Sequence, residues 1–277
     1  MRRITELSAE WEQWIVLNIG RGVPADVLTA EMVKKDFDRS FAMAAVLQRL
    51  PQSAVSELPA AEPSRIATEN RIEIERHTVE VVTRISAPDI VVLQHVLSDQ
   101  ECDQLIALSR PKIKRSTTVD RATGADQIIA ARSSEGTYFL RGENALVAKI
   151  EKRLAALTGT PVENGEGLQI LHYGMGAEYR PHFDFLDPED PGSAAHLKKG
   201  GQRVSTTIMY LNDVDAGGAT IFPDIGLEVS ARKGSAVYFS YCDSQGQLDR
   251  LTLHGGAPVA AGEKWIATRW LRQGVYQ

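Results

Sequence analysis

Three side chains in the C-terminal half of the sequence have the types and the spacing of a mononuclear metal site. His182 and Asp184 are two residues apart, and residues at that spacing in a β-strand point to the same face. An imidazole nitrogen and a carboxylate oxygen could then bind one cation side by side. His254 follows much later, at the end of another apolar, strand-like run. Two histidines and one carboxylate form the facial triad of non-haem Fe(II) enzymes, which leaves coordination positions open for other ligands.

Lys264 adds a second chemical signal shortly after His254. It belongs to a segment, Glu263–Trp270, that alternates like a buried strand, where an unpaired ammonium group would be costly. A dicarboxylate bound to the metal at one end would supply the missing anion at its other end. A zinc hydrolase can also use two histidines and one aspartate. The sequence shows no candidate general-base glutamate next to the triad, however, and Lys264 would have no role in such an enzyme.

The metal-site residues lie in a region of many short predicted β-strands. Apolar and β-branched runs separated by Gly, Asp and Pro predict a barrel or a sandwich. One flanking helix begins at a capping box of Ser98 and Glu101, and an amphipathic helix over Glu143–Leu157 should back the sheet. The fold class is therefore mainly β with flanking helices. The strands are predicted at 168–173, 179–185, 203–212, 219–222, 227–231, 235–240, 250–254 and 264–271.

The chain is predicted to have three parts. Residues 1–50 form an N-terminal helical segment of three short helices, the second running to Phe37. It is vaguely similar to a ubiquitin-associated module, and it either packs on the catalytic domain or on another subunit, or recognises a partner. Residues 51–70, which contain three prolines and many small residues, are a linker. Residues 71–277 form the catalytic domain.

Four segments around the candidate metal site resemble the catalytic domain of collagen-type prolyl 4-hydroxylases. They are HYGMGAEYRPHFDF, RVSTTIMYLNDVDAGGATIFP, RKGSAVYF and LHGGAPVAAGEKWIATRW, in the order found in that family. The resemblance runs from about Pro88 to the C-terminus and is strongest to small bacterial members. It implies a double-stranded β-helix, or jelly roll, as the core. It also implies a 2-oxoglutarate- and Fe(II)-dependent dioxygenase that hydroxylates peptidyl proline at the 4-position and converts 2-oxoglutarate to succinate and CO2.

The resemblance assigns cofactors and the residues that would bind them. His182, Asp184 and His254 would bind Fe(II), with 2-oxoglutarate and O2 as cosubstrates and ascorbate as reductant. Lys264 would pair with the distal carboxylate of 2-oxoglutarate. A threonine and two tyrosines would lie beside that carboxylate, although either tyrosine could instead be a packed core residue: Thr220, Tyr173 and Tyr210.

The same resemblance implies a groove for a proline-containing peptide or protein. Its residues would be two aromatic rings and two arginines: Tyr179, Arg203, Trp270 and Arg272. The family often has a histidine at the position of Arg272, and Arg203 could be structural instead. The segment 112–131 would fold over the peptide, unless it is an ordinary solvated loop. The polar segment 187–200 would lie at the barrel mouth, with His196 at the surface, and His172 should point away from the metal.

Composition narrows the choice of partners. A net charge of −5 and a pI of about 5.7 argue against a nucleic-acid surface, and no apolar run approaches the roughly 20 residues that span a membrane. The start of the sequence lacks the apolar core of a signal peptide, so we expect a cytoplasmic protein with two reduced cysteines. A homodimer is left open.

Two other functions compete with peptidyl-proline hydroxylation. The same cofactor chemistry could act on a non-proline side chain, a free amino acid or a small metabolite, although a groove of aromatic rings and arginines favours an extended peptide. A non-enzymatic scaffold whose N-terminal helices carry the function is disfavoured, because the triad and Lys264 are intact.

Overall fold

The structure is a computed structural model that describes residues 4–49, 64–120, 123, 125–127, 129, 131–243 and 246–277. The chain divides into two compact units, Met1–Glu62 and Pro63–Gln277. Residues 51–63 of the predicted linker lie outside the described residues. Residues 64–70 belong to the second unit, where Ile66 is buried in the hydrophobic core. Among the described helices, none is long and apolar enough to cross a lipid bilayer.

The first unit consists of three helices: α1 (Ala9–Gly20), α2 (Ala25–Val33) and α3 (Arg39–Leu47). The side chain of Ser8 accepts a hydrogen bond from the first turn of α1, and that of Asp38 does the same for α3. Ile15 of α1 packs with residues of the other two helices in a separate small core. The prediction that α2 runs to Phe37 is wrong, because a turn with Asp36 in the left-handed region (φ 65°) follows Val33.

The second unit contains two main antiparallel sheets and three helices. The helices are α4 (Asp99–Ser109), α5 (Ala145–Thr158) and the short α6 (Ser193–Leu197). The strands are β1 (Arg71–Ile74), β2 (His77–Ser86), β3 (Asp89–Gln94), β4 (Lys114–Arg115), β5 (Thr118–Val119), β6 (Asp126–Gln127), β7 (Glu135–Phe139), β8 (Leu168–Tyr173), β9 (Tyr179–His182), β10 (Arg203–Tyr210), β11 (Ala216–Gly217), β12 (Thr220–Phe222), β13 (Leu227–Val229), β14 (Ala236–Ser240), β15 (His254–Gly256), β16 (Val259–Ala261) and β17 (Lys264–Arg272).

The sheet order confirms the predicted jelly-roll core. The larger sheet has nine strands in the order β1-β2-β3-β14-β10-β17-β8-β7-β4, and the smaller has the order β13-β12-β15-β9. Two-stranded pairs, β11-β16 and β5-β6, complete the unit. All nine residues of β17 are buried between β10 and β8, as expected for a central strand that is covered on both faces.

Several strand boundaries differ from those predicted from the sequence. The run 250–254 is not a strand: Arg250–Thr252 form a 3-10 helix capped by Asp249, and β15 begins only at His254. Strand β9 ends at His182 rather than at 185, and β10 ends at Tyr210 rather than at 212. Strand β2 was missed because its burial does not alternate strictly. The segment 187–200 contains α6.

A buried ion pair connects the two longer helices behind the larger sheet. Ser98 and Glu101 form the predicted capping box at the start of α4. Both Glu101 oxygens also accept hydrogen bonds from Arg153 of α5, at 2.7 and 2.8 Å, and Arg153 donates to the carbonyl of Val96. Burial raises the pKa of Glu101, but the bonds from Arg153, Ser98 and Lys149 outweigh it and hold the pKa at about 2.

We expect Glu101→Gln to lower the free energy of unfolding by about 3 kcal/mol at neutral pH, because it leaves Arg153 buried and unpaired. The folded-state pKa is depressed, so this contribution is complete above the ordinary value of 4.5 and is lost as the pH falls toward about 2. Urea unfolding followed by circular dichroism between pH 7 and pH 3 measures the difference between variant and parent. Glu228→Gln, at an exposed position of β13, is the control. A difference that stays constant over this range would show that the charge of Glu101 is not its source.

Candidate active site

The paired strands β9 and β15 bring the three candidate metal ligands together. His254 lies directly opposite His182 in the pair, and Asp184 follows β9 by two residues. The Nε2 atom of His182 is 3.7 Å from Asp184 Oδ1, and the Nε2 atom of His254 is 3.4 Å from Asp184 Oδ2. One ligand atom from each residue lies within 4.8 Å of the others. The structure therefore places the three residues as the sequence predicts.

Hydrogen bonds orient both imidazoles toward Asp184. His182 Nδ1 lies 2.9 Å from the carbonyl oxygen of Arg180, and His254 Nδ1 lies 3.0 Å from that of Thr252. A carbonyl only accepts hydrogen bonds, so we assign the proton of each ring to Nδ1, which leaves a lone pair on each Nε2. Burial, reinforced by the neighbouring His254, lowers the pKa of His182 to about 3. This imidazole is therefore neutral, the form that binds metals.

The carboxylate of Asp184 is also held by its neighbours. Thr206 of β10 donates a hydrogen bond of 2.7 Å to Asp184 Oδ2, and the hydroxyl of Tyr241 lies 3.2 Å from that of Thr206. Burial raises the pKa of Asp184, but His254, His182 and Arg203 outweigh it and hold the pKa well below its ordinary range. Two imidazoles whose Nε2 atoms face one ionised carboxylate are a donor set that fits Fe(II).

The triad faces a cavity of about 800 Å³ that is lined by residues of both sheets. Lys264 lies in the same cavity and is 2% exposed. Its Nζ atom is 5.5 Å from the ring centre of Tyr173 and 5.7 Å from that of Tyr210. Burial lowers the pKa of Lys264 to about 8, and no carboxylate in the described part of the chain forms an ion pair with it. A buried cation without a counter-ion fits the distal carboxylate of 2-oxoglutarate.

A notch next to Lys264 gives such a carboxylate room. Thr220, Gly256 and Tyr179 lie opposite one another on β12, β15 and β9, and residues paired in this way share a face. Gly256 has no side chain, and a Cβ atom there would lie 3.9 Å from Lys264 Nζ. Tyr210 donates a hydrogen bond of 2.7 Å to Thr220 Oγ1, which leaves the hydroxyl proton of Thr220 for another acceptor.

The aromatic residues predicted for the peptide groove both line the cavity. The ring of Tyr179 is stacked on His182, with 3.7 Å between centroids, and the guanidinium of Arg132 lies 4.8 Å from the Tyr179 ring centre. Trp270 is buried beside the guanidinium of Arg203, which is 4.0 Å from its ring centre. Trp270 Nε1 is buried and has no hydrogen-bond partner among the described residues.

The two arginines predicted for the groove contact a carboxylate that sequence reasoning missed. Arg203 donates to both oxygens of Glu166, at 2.6 and 2.9 Å, and to the carbonyl of Asp184 at 3.2 Å. Arg272 donates to Glu166 at 2.7 Å. Burial raises the pKa of Glu166, but the two arginines outweigh it and keep the pKa below its ordinary value. Much of the donor capacity of both arginines is therefore used within the protein, and their contact with a peptide stays a prediction.

The remaining predicted residues lie either in the cavity lining or on the opposite face of the larger sheet. Alternate residues of β17 line the cavity, in a row from the cosubstrate end to the rim: Lys264, Ile266, Thr268, Trp270 and Arg272. His172 points to the opposite face of the larger sheet, where its Nε2 atom lies 2.8 Å from Glu263. His196 is half-buried and lines the rim of the cavity. In the predicted substrate loop 112–131, Thr117, Thr118, Asp120, Gln127, Ile129 and Ala131 line the cavity, and residues 121, 122, 124, 128 and 130 lie outside the described residues.

The sequence is similar to proteins of known activity. Residues 168–272 match the model of the 2OG-Fe(II) oxygenase superfamily. Prolyl 4-hydroxylase 5 of Arabidopsis thaliana is 41% identical over 202 residues, which are 66% of this chain and 68% of that protein. The alpha-2 subunit of prolyl 4-hydroxylase from Gallus gallus is 37% identical over 188 residues, which are 68% of this chain and 34% of that protein.

A solved structure is similar over the same region. The viral collagen prolyl hydroxylase of Paramecium Bursaria Chlorella virus-1, determined as a 2OG complex, has 30% sequence identity and a TM-score of 0.52. The match covers 65% of this chain and 94% of the viral chain. Fold and site thus define a 2-oxoglutarate- and Fe(II)-dependent dioxygenase. The chain belongs to the prolyl 4-hydroxylase family of these enzymes.

We expect His182→Ala to weaken Fe(II) binding by more than about 100-fold, because loss of a supporting outer contact alone costs roughly 10- to 100-fold. Calorimetric titration with Fe(II) under anaerobic conditions measures the affinity, and succinate formation reports turnover. His95→Asn, at an exposed position whose φ of 59° suits asparagine, is the control. Unchanged metal affinity together with unchanged consumption of 2-oxoglutarate would contradict the assignment of His182.

We expect Lys264→Met to raise the apparent KM for 2-oxoglutarate, because it removes one charge-assisted contact worth about 1.5–3 kcal/mol, or roughly 10- to 150-fold in affinity. Succinate formation over a range of 2-oxoglutarate concentrations measures this effect, and calorimetry on the metal-loaded protein measures binding directly. Lys152→Met, at an exposed position of α5, is the matched control. A saturation curve equal to that of the parent would place the cosubstrate carboxylate elsewhere.

Proposed function

We propose that this protein hydroxylates the 4-position of prolyl residues in a peptide or protein, coupled to oxidative decarboxylation of 2-oxoglutarate to succinate and CO2. The observation that carries the proposal is a single cavity with three parts. The triad lies beside the unpaired cation of Lys264 and beside the aromatic rings of Tyr179 and Trp270. The names of the plant relatives, at up to 41% identity, support proline as the target.

In the proposed site, different side chains bind the metal and the distal carboxylate of the cosubstrate. His182, Asp184 and His254 would hold Fe(II) at the wall of the cavity. Bound Fe(II) supplies the activation of O2 that hydroxylation of an unactivated C–H bond requires. Lys264 and the hydroxyl proton of Thr220 would hold the distal carboxylate of 2-oxoglutarate. Tyr173 lines that end of the cavity, whereas Tyr210 is buried behind Thr220 and donates a hydrogen bond to it.

The proposed substrate would bind along the aromatic residues that line the cavity. The ring of Tyr179, stacked on His182, offers an apolar surface next to the metal ligands for a pyrrolidine ring. The unpartnered Nε1 of Trp270 is a donor for a peptide carbonyl, which would satisfy a buried polar atom. This arrangement supports an extended peptide over a free amino acid, because the two aromatic rings and the two arginines, contributed by both sheets, line the same cavity. A cytoplasmic location and a homodimer stay predictions.

We expect proline-rich peptides incubated with the protein, Fe(II), 2-oxoglutarate and ascorbate to gain one oxygen atom per modified proline. Tandem mass spectrometry locates the oxygen, amino-acid analysis against hydroxyproline standards identifies the 4-position, and succinate is measured in the same samples. The gain should vanish without 2-oxoglutarate, with His182→Ala, and in matched peptides that carry alanine for proline.

Two outcomes would reject the proposed substrate. Oxygen added at another side chain would move the assignment to a different peptidyl residue. Succinate formed from 2-oxoglutarate with every peptide unmodified would retain the cofactor chemistry and direct the search to amino acids and small metabolites.

A further inference from the structure

The segment 187–201, which we call the rim segment, forms one side of the cavity mouth. It follows the triad residue Asp184 closely, contains α6 and contributes Asp187, Asp190, Gly192, Ser193, His196 and Lys199 to the cavity lining. Hydrogen bonds fix the chain at both ends of this segment. Gln202 exchanges hydrogen bonds with the backbone of Leu186, at 2.6 and 2.8 Å, and the carbonyl of Gly200 accepts from Gly274 at 2.8 Å.

Arg272, the last residue of β17, reaches this segment from inside the protein. Its side chain is 2% exposed. Nη1 donates to the carbonyls of Gly201 at 2.7 Å and His196 at 3.3 Å, and Nε donates to Glu166 at 2.7 Å. A planar guanidinium can serve two partners at fixed angles, which an ammonium group cannot reproduce. Arg272 therefore joins the rim segment to a buried carboxylate in the cavity wall.

The contact continues from Glu166 to the catalytic residues. The second arginine on Glu166 is Arg203, which donates to the carbonyl of Asp184 and lies against the ring of Trp270. One buried carboxylate between two guanidinium groups thus connects the rim segment, the ring of Trp270 and the backbone of a triad residue. The distal carboxylate site at Lys264 lies at the opposite end of the β17 row.

From these contacts we infer that Arg272 is a positioning residue: it holds the rim segment in the conformation that receives the peptide and so determines peptide affinity, not affinity for 2-oxoglutarate. The inference rests on the proposed function for its peptide. Its sequence position predicts contact with substrate, whereas its donors are directed to the rim and to Glu166. Loss of the guanidinium contacts with Glu166 and the rim segment should release that segment, so that only a fraction of the molecules is competent to bind peptide.

The first variant is Arg272→Lys, which keeps the positive charge but lacks the planar guanidinium group. The second is Arg272→Gln, which tests the same contacts if the lysine variant fails to fold. The matched control is Arg269→Lys. Arg269 lies on the same strand, is also 2% exposed and pairs with the buried carboxylate of Glu151 on the opposite face. A purely structural effect of losing a buried arginine should appear equally in this control.

Two measurements on the full-length, Fe(II)-loaded protein test the inference. Hydrogen–deuterium exchange should be faster over 187–201 in the Arg272 variants, with β9 and β15 unchanged, and should not change there in Arg269→Lys. With a peptide that the parent hydroxylates, the apparent peptide KM should rise roughly 10-fold, as for a competent fraction of about one tenth, while the KM for 2-oxoglutarate and the saturated kcat change little.

Three results would overturn the inference. A raised peptide KM with unchanged exchange over 187–201 would mean that Arg272 contacts the peptide itself. Unchanged exchange with unchanged kinetics would mean that the contacts hold nothing in place. Equal effects in Arg269→Lys would mean a general loss of stability. The exchange measurement needs no peptide. It therefore tests whether Arg272 holds the rim segment independently of whether proline is the substrate.

Discussion

The buried ammonium group of Lys264 is the constraint on which the rest of the site depends. It lies on an interior strand of the larger sheet, and no carboxylate in the described ranges neutralises it. Removing a charge from water without a partner costs several kcal/mol, so an anion bound at this end stabilises the folded protein. The triad lies in the same cavity and provides a second anchor. A dicarboxylate with a keto group next to one end satisfies both, which makes metal and cosubstrate binding mutually dependent.

The groups behind the cavity wall give the site its geometry. Backbone carbonyls fix the tautomer of His182 and His254, Thr206 orients the Asp184 carboxylate, and Glu166 holds two arginines. Thr252, Thr206 and Glu166 are buried, so a hydrogen bond lost at any of them leaves an unsatisfied polar group and not merely a weaker contact. The substrate-facing residues are therefore rigidly supported, which favours the fixed distances that hydroxylation of one carbon atom demands.

Sequence reasoning located the parts of the site that local spacing determines. The spacing of His182 and Asp184 predicted that the two residues act together, although β9 ends at His182 and Asp184 lies just beyond the strand. The alternation after Lys264 required only the period of a β-strand, and the jelly-roll core followed from the family resemblance of the motifs. Glu166 and Thr206 were not found, because their partners lie on other strands and neither residue has a distinctive neighbourhood. The run before His254 was taken for a strand because Leu251 and Leu253 are apolar, yet the side chain of Asp249 caps a 3-10 helix there.

The alternation of β17 has a consequence for how the active site forms. Its even-numbered residues include Lys264, which would bind the cosubstrate carboxylate, Trp270, and Arg272 at the cavity mouth. All of them lie on the same side of the strand. A slip of one residue against β10 or β8 would turn all of them away from the cavity together and would direct Trp265 and Arg269 into it. No partly correct pairing can produce a partly working enzyme. Catalytic activity therefore requires the correct register of β17, and a chain with a shifted register would be inactive, not merely less active.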